Sequence, residues 1–261
     1  MILKKISKYL PVFFDLVKSD FQRRYLGTYL GAFWAVAAPF SIIGVLLFVF
    51  NVGFRSGPVA GVDFDVWLVS GLIVWFYISD AIVSGGNSIT EYGFLVKKIR
   101  FMTELLPVVR ITSSLYIHLI NFSLLLVLLL FRGHYPTLHW AQLPYYFVAL
   151  YIFVLALGMI AAVIQVFVKD FGGVIAILMQ IGFWATPILW DAKILPDHFR
   201  FIVTYNPANY LVQGYRETLL FEKWFFDRPL ESLFFWGLTL ALFTVGLTLF
   251  NRTKHQFADV L

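Results

Sequence analysis

The sequence has no cysteine among its 261 residues, so disulfides, thiolate metal sites and cysteine nucleophiles are all excluded. Charge is scarce as well. Only 13% of the residues are charged, whereas soluble domains carry about 25%. Apolar residues make up 60% and aromatic residues 19% of the chain, and aromatic rings suit the interfacial belts of a membrane protein. These proportions predict a chain whose main solvent is lipid rather than water.

Motifs that bind nucleotides or support hydrolysis are also missing. The chain has no G-x-x-x-x-G-K-[ST] phosphate loop, no G-x-G-x-x-G at the start of a helix and no H-E-x-x-H. Its histidines are scattered, which argues against a metal site: His118, His134, His139, His198 and His255. We therefore expect no catalytic residue, metal or cofactor in this chain, and if its function requires ATP and Mg²⁺, another chain must bind them.

Residues 1–30 have the pattern of neither a membrane span nor a secretory signal. Asp15 and Lys18 interrupt the apolar stretch, which a cleavable signal would keep uncharged. Apolar side chains nevertheless recur at spacings of three and four residues, at Leu10, Phe13, Phe14, Val17, Phe21 and Tyr25. This period predicts a helix that lies in the plane of the membrane interface.

Six apolar runs are long enough to cross a hydrocarbon core, which takes about 20 helical residues. They cover residues 31–54, 66–89, 105–131, 142–168, 171–189 and 232–250. Residues 191–230 hold two shorter apolar patches, 199–205 and 210–221, which could lie on the outer surface or dip back into the membrane. No repeat or linker divides the chain, so we predict a single all-α domain over residues 1–261.

The positive charges predict the orientation of these spans, because cytoplasmic segments are enriched in Lys and Arg. Of the 20 Lys and Arg residues, 13 fall on the side of the N-terminal segment and 7 on the other side. Both termini are therefore expected in the cytoplasm. We attribute the net charge of +5 to this topology rather than to nucleic-acid binding, since basic residues beside apolar spans meet anionic lipid headgroups.

Asp80 is an ionisable residue in the middle of the second run. Such residues are functional candidates because a charge inside a membrane is costly. Its neighbours are polar or small: Ser79, Ser84, Gly85, Gly86, Asn87 and Ser88. Small residues permit close helix packing, and hydroxyl groups could face water. Asp80 is thus either paired at a helix interface or exposed to a polar transport path.

Two stripes of mostly aromatic residues follow helical spacing. Phe33, Phe40 and Phe48 share one face of the first run with Gly44. The stripe in the fifth run consists of Met179, Phe183, Thr186 and Trp190. Such stripes usually pack against other helices. The alternative is a channel lining that also includes Asp80, since flat rings contact the C–H faces of sugars without requiring a fixed hydrogen-bond pattern.

The connection between the second and third runs, from Glu91 to Glu104, is charged and is predicted to be cytoplasmic. It is the kind of element that could receive force from a soluble partner. A solvated helix that touches no partner would have the same composition, so the residues alone leave both interpretations open.

Three ordered stretches resemble the ABC-2 type permeases of polysaccharide exporters, most of all the O-antigen export permeases of the Wzm type, with capsule and teichoic acid permeases as near relatives. The first stretch runs from Asp20 through Arg23-Arg24-Tyr25 to Trp34 and Pro39. The second contains Gly71, Trp75, Asn87, Glu91, Lys97-Lys98, Glu104 and Pro107. The third contains Lys169-Asp170, Gln180, Thr186-Pro187, Leu195-Pro196, Asn206-Pro207 and Gly214-Tyr215-Arg216. Departures from the family's pattern occur at Asp80, Tyr92-Gly93 and Met102.

This resemblance implies a homodimer of six-span subunits with two copies of a separate nucleotide-binding ATPase, and a polymer path between the two permeases. The connection after the second span would be the coupling helix on the ATPase, which maps onto Glu91, Tyr92, Lys97, Lys98 and Arg100. The interfacial helix would hold Arg23, Arg24 and Tyr25 near the cytoplasmic surface. There the two guanidinium groups suit the pyrophosphate of an undecaprenyl-linked glycan. The patches between residues 191 and 230 would be outer re-entrant helices.

The expected function is ATP-driven export of lipid-linked polysaccharide, O-antigen above all, across the bacterial inner membrane. Three alternatives stay open: an ABC-2 exporter of drugs or small lipids, a membrane-embedded glycan-modifying enzyme, and a proton-coupled flippase that depends on Asp80. The enzyme would need convergent polar residues within the bilayer, and the runs offer few besides Asp80.

Overall fold

The computed structural model of the protein describes residues 2–25, 30–94 and 103–261, and the regular elements within these ranges are helices. They are α1 (Ile2–Tyr25), α2 (Ala32–Leu47), α3 (Phe64–Glu91), α4 (Leu105–Phe131), α5 (Leu143–Phe167), α6 (Phe171–Ala185), α7 (Arg200–Thr204), α8 (Pro207–Leu219), α9 (Pro229–Thr253) and α10 (Phe257–Val260). A π-helical segment, Phe48–Gly53, continues α2. The prediction of an all-α fold is confirmed.

Among the described residues, five helical stretches are long and apolar enough to cross a membrane: Phe33–Gly53, Phe64–Glu91, Leu105–Phe131, Leu138–Phe167 and Pro229–Val260. They coincide with five of the six predicted runs. The remaining run, expected over residues 171–189, is shorter as a helix, since α6 has 15 residues. Pro187 explains the early end, because proline pushes the residue before it out of the helical region, and Thr186 has φ −96° and ψ 132°.

Helix α3 is the centre of the protein and packs against α4, α5 and α8. Its first half is apolar except for Asp65 and Ser70 and is almost wholly buried, as expected for a helix surrounded by others. Its second half is packed through small residues. A Cβ added to Gly85 would lie 3.1 Å from the Ile111 side chain and 3.3 Å from the backbone of Gly158. Close approach of α4 and α5 to α3 therefore depends on these small residues.

The short helix α8 is held against α3 and the end of α6 by Arg216, which is fully buried. Its guanidinium donates to the carbonyl oxygens of Trp67, Pro187 and Ile188 at 3.1, 2.8 and 3.0 Å. The same group lies 3.6 Å from the centre of the Trp67 ring. Gly71 leaves room for it, because a Cβ there would lie 2.6 Å from Arg216 Nη2. Arg216 thus connects α8 to α3 and to the residues that follow α6, although these segments are distant in the sequence.

The residues between α6 and α9 form short helices, as the two apolar patches predict. Asn206 begins α8 as its N-cap, with its side-chain oxygen accepting from the backbone N–H groups of Ala208 and Asn209. The Asn206 amide also donates to Thr186 Oγ1 at 3.1 Å. The cap therefore fixes the start of α8 to Thr186, the residue that directly follows α6.

Candidate functional site

Arg24 at the end of α1 forms an ion pair with Asp80 in the middle of α3, with 2.8 Å between Nη2 and Oδ1. Its other terminal nitrogen donates to Ser114 Oγ on α4 at 2.9 Å. The side chain of Arg24 is 17% exposed and that of Asp80 is 43% exposed. The structure therefore joins two residues that the sequence analysis assigned to separate sites, the cytoplasmic entry and the channel lining.

A cavity of about 440 Å³, which we call the α1 pocket, lies beside this ion pair and is bounded by α1, α2, α3 and α4. Its lining combines polar side chains with rings: Arg24, Asp80, Ser114, Asn121, Tyr25, Trp34, Phe76 and Tyr77. Such a lining offers hydrogen-bonding groups next to flat apolar surface. Sites for ligands with both polar and apolar parts have this composition.

A second and more open cavity of about 600 Å³, which we call the α6 hollow, lies between α3 and α6. Met179 and Phe183, two of the predicted lining residues, border it. Ile42, Phe76 and Asp80 line both cavities. The Asp80 carboxylate thus stands at the boundary between the α1 pocket and the α6 hollow, paired with Arg24 on one side and partly open to the other.

A second charged cluster lies one turn earlier on α1, and we call it the Asp20 cluster. Asp20 is fully buried and accepts hydrogen bonds from Tyr92 OH at 2.7 Å and from Arg110 Nη1 at 2.9 Å. Arg110 also pairs with Glu91 at the end of α3. The guanidinium of Arg23 lies 5.3 Å from the centre of the Tyr92 ring, within the range of a cation–π contact. The end of α3 is thereby fixed to both α1 and α4.

The two tyrosines of this region keep their protons at physiological pH. Burial and then the charge of Asp80 raise the pKa of Tyr25 to about 12. Burial and then the hydrogen bond to Asp20 raise the pKa of Tyr92 well above its ordinary value. Because a protonated phenol can donate, the bond from Tyr92 to Asp20 persists across the physiological range.

The two predicted aromatic stripes are placed differently. The aromatic residues of the first stripe are exposed on the surface of the protein: Phe33, Phe40 and Phe48. In the second stripe, the prediction of one helical face is wrong for Thr186 and Trp190. Helix α6 ends at Ala185 because of Pro187, and Thr186 is fully buried, so neither residue continues the helical face of Met179 and Phe183.

Of the residues predicted to contact an ATPase, Glu91 and Tyr92 belong to the Asp20 cluster, whereas Lys97, Lys98 and Arg100 lie outside the described residues. The sequence analysis missed the two central members, Asp20 and Arg110. A signal was present for Arg110, because it lies within an apolar run, where ionisable residues are functional candidates. No such signal was present for Asp20, because the amphipathic pattern of α1 assigns this residue to the polar positions.

The connection between α3 and α4 ends at Glu104, which forms an ion pair with Lys254 after α9, with 2.6 Å between Oε1 and Nζ. Partial burial opposes ionisation of Glu104, but the hydrogen bond and charge of Lys254 outweigh it and hold its pKa below the ordinary value of a glutamate. Because the folded-state pKa is lowered, the pair stabilises the fold at pH values above that ordinary pKa, and its contribution is lost as the pH falls through the lowered value.

We expect Lys254→Ala to lower the free energy of unfolding by about 0.5 kcal/mol at pH 7, as for other partly exposed pairs, and by progressively less at acidic pH. Denaturant unfolding of the two proteins in detergent at a series of pH values measures the difference. An effect that stays constant down to pH 3 would contradict the assignment of this pair.

Comparisons with known proteins agree with this architecture. Residues 11–220 match the family model described as ABC-2 type transporter. Similar curated proteins include two named O-antigen export system permease protein RfbA from Klebsiella pneumoniae, which are 26% and 24% identical over 98% of this chain and 99% of their own length. One of the same name from Myxococcus xanthus is 25% identical over 99% of this chain and 98% of its own length. Since the match covers most of a chain with several membrane-spanning helices, this multi-pass membrane protein belongs to the ABC-2 type transporter family.

Proposed function

We propose that the protein is the membrane subunit of an ATP-driven exporter that moves undecaprenyl-linked polysaccharide, in the first place O-antigen, across the bacterial inner membrane. The observation that carries the proposal is the α1 pocket, in which a guanidinium, hydroxyl groups and rings meet at one opening. A lipid-linked glycan presents matching groups, namely phosphate oxygens, sugar hydroxyls and apolar C–H faces. The names of the relatives, all O-antigen export permeases, support the same class of substrate.

Arg24 is the residue that we propose to receive the pyrophosphate, with Arg23 beside it at the exposed surface of α1. A guanidinium binds phosphate through two parallel N–H bonds, which gives both strength and orientation. Arg24 is held by Asp80 and Ser114 at the border of the α1 pocket. Phosphate oxygens would therefore compete with the Asp80 carboxylate for the same donors.

The polymer path would lie between two copies of the subunit. Helix α2, its π-helical continuation and α6 present apolar side chains at the surface of one subunit, among them Phe33, Phe48 and Trp184. In the assembly Phe33, Phe40, Phe48, Met179 and Phe183 would face the path together with Asp80. Helix α6 would then supply the fifth of the six spans, with the residues after Pro187 completing its passage across the membrane.

The remaining elements complete the topology of the proposed transporter. Helix α1 would lie at the cytoplasmic interface, α7 and α8 would re-enter the membrane from the outer side, and both termini would be cytoplasmic. Two copies of a separate ATPase subunit, which carry the ATP and Mg²⁺, would dock on the connection between α3 and α4. Glu91 and Tyr92, with Lys97, Lys98 and Arg100, would form that docking region.

Deletion of the gene tests the proposal directly. We expect polysaccharide to disappear from the cell surface and lipid-linked glycan to accumulate inside, because synthesis continues while export stops. Gel and blot analysis of the two fractions, with restoration by a plasmid copy, measures this. If the glycan is never assembled, a glycan-modifying enzyme is the better interpretation. If the surface is unchanged and drug sensitivity rises, the protein is an ABC-2 exporter of drugs or lipids.

A further inference from the structure

Helix α1 is anchored at two points that lie one helical turn apart. Asp20 and Arg24 are four residues apart, so their side chains leave the same face of α1, about 6 Å apart along its axis. Their partners on α4, Arg110 and Ser114, have the same spacing. A short length of α1 therefore runs alongside the first turns of α4, with the Asp20–Arg110 ion pair at one end and the hydrogen bond from Arg24 to Ser114 at the other.

The two anchors lead to different regions of the molecule. Asp20 accepts from Tyr92, which directly follows α3 and begins the connection to α4. Arg24 pairs with Asp80, which borders both the α1 pocket and the α6 hollow. A chain of direct contacts therefore joins the connection between α3 and α4 to the two cavities. It runs from Tyr92 to Asp20, along one turn of α1 to Arg24, and from Arg24 to Asp80.

We propose that α1 transmits displacement of the connection between α3 and α4 to the Arg24–Asp80 ion pair, with Tyr92 and Asp20 as the positioning residues. This inference rests on the proposed function, since an ATPase must move the connection. Asp20 is fully buried and bonded to both Tyr92 and Arg110, so it cannot separate from them without leaving a buried charge unpaired. When Tyr92 moves, Asp20 has to follow, and a helical turn carries Arg24 with it.

Because the sequence has no cysteine, one introduced cysteine can carry a fluorescent label that tests this transmission through α1. Ala38 is exposed and lines the α1 pocket, so a bimane fluorophore attached at Ala38→Cys reports on that pocket. The labelled permease is reconstituted with its ATPase in lipid nanodiscs, and emission is compared without nucleotide and with a non-hydrolysable ATP analogue. We expect a nucleotide-dependent change in the parent and its loss in Tyr92→Phe, which removes a single hydroxyl, and in Asp20→Asn.

Tyr151→Phe is the matched control, because it removes another inter-helix tyrosine hydroxyl, bonded to Thr112 at 2.8 Å, without touching α1. It should keep the nucleotide response of the parent. A response that persists in both Tyr92→Phe and Asp20→Asn overturns the proposal, as does an equal loss in Tyr151→Phe, which would indicate general loosening. No response in the parent also overturns it, whereas the surface-glycan experiment decides the proposed function separately.

Discussion

Replacing Arg216 by methionine is expected to lower the free energy of unfolding by about 2–4 kcal/mol, because two buried carbonyl oxygens lose their donor and each such loss costs about 1–3 kcal/mol. These are the oxygens of Pro187 and Ile188, to which Arg216 donates at 2.8 and 3.0 Å. Both follow the end of α6, so no further helical turn supplies an N–H. Methionine also removes a buried positive charge, which offsets part of the loss.

Two further variants distinguish the contribution of the guanidinium geometry at Arg216 from that of its charge. Arg216→Lys keeps the charge, but an ammonium group cannot reproduce the planar fork that reaches both carbonyls, so it should also be destabilised. Arg200→Met removes an arginine that is half exposed and pairs with Asp197, and it should change stability by less than about 0.5 kcal/mol. Unfolding in detergent, followed by tryptophan fluorescence, measures all three. Full stability of Arg216→Met would show that other donors serve these carbonyls.

The lengths of most spans could be predicted from the sequence, because hydrocarbon thickness fixes how many apolar residues a helix needs. The run over 105–131 coincides with α4, and the runs for α3 and α5 differ from the helices by only one or two residues at each end. The end of α6 could not be predicted in this way. The apolar run continues to Leu189, while the helix stops at Ala185, because hydropathy measures composition and not backbone hydrogen bonding. Pro187 was the available signal.

The candidate site was less predictable than the fold. Helical periodicity shows which residues share a face, but it does not show which helices are neighbours. Arg24 and Asp80 are 56 residues apart, and nothing in either segment indicates the other as its partner. Arg216 illustrates the same limit. A count of positive charges assigns it to an outer segment, whereas its guanidinium is buried between α3 and α6, where it satisfies backbone carbonyls.

Exchanging the two charges, Arg24→Asp together with Asp80→Arg, is expected to restore assembly but not export. Either single substitution places two like charges where an ion pair of 2.8 Å now joins α1 to α3, so both should reduce the amount of folded protein. The double variant re-forms the pair. Its cation lies on α3, however, and a carboxylate occupies the position on α1 that we propose to meet the pyrophosphate. A hydrogen bond to a charged group contributes about 1.5–3 kcal/mol, which corresponds to a loss of about tenfold or more in export.

The measurement is the rate at which surface polysaccharide reappears in the deletion strain, normalised to membrane-inserted protein on a blot. Lys18→Asp is the matched control, because it reverses a charge on the exposed side of α1 and should leave export near the parent rate. Export at the parent rate by the double variant would mean that the pair only holds α1 against α3, and that phosphate recognition by Arg24 is wrong. Folded protein with impaired export would instead show that the position of the guanidinium matters, since the ion pair itself is present in both proteins.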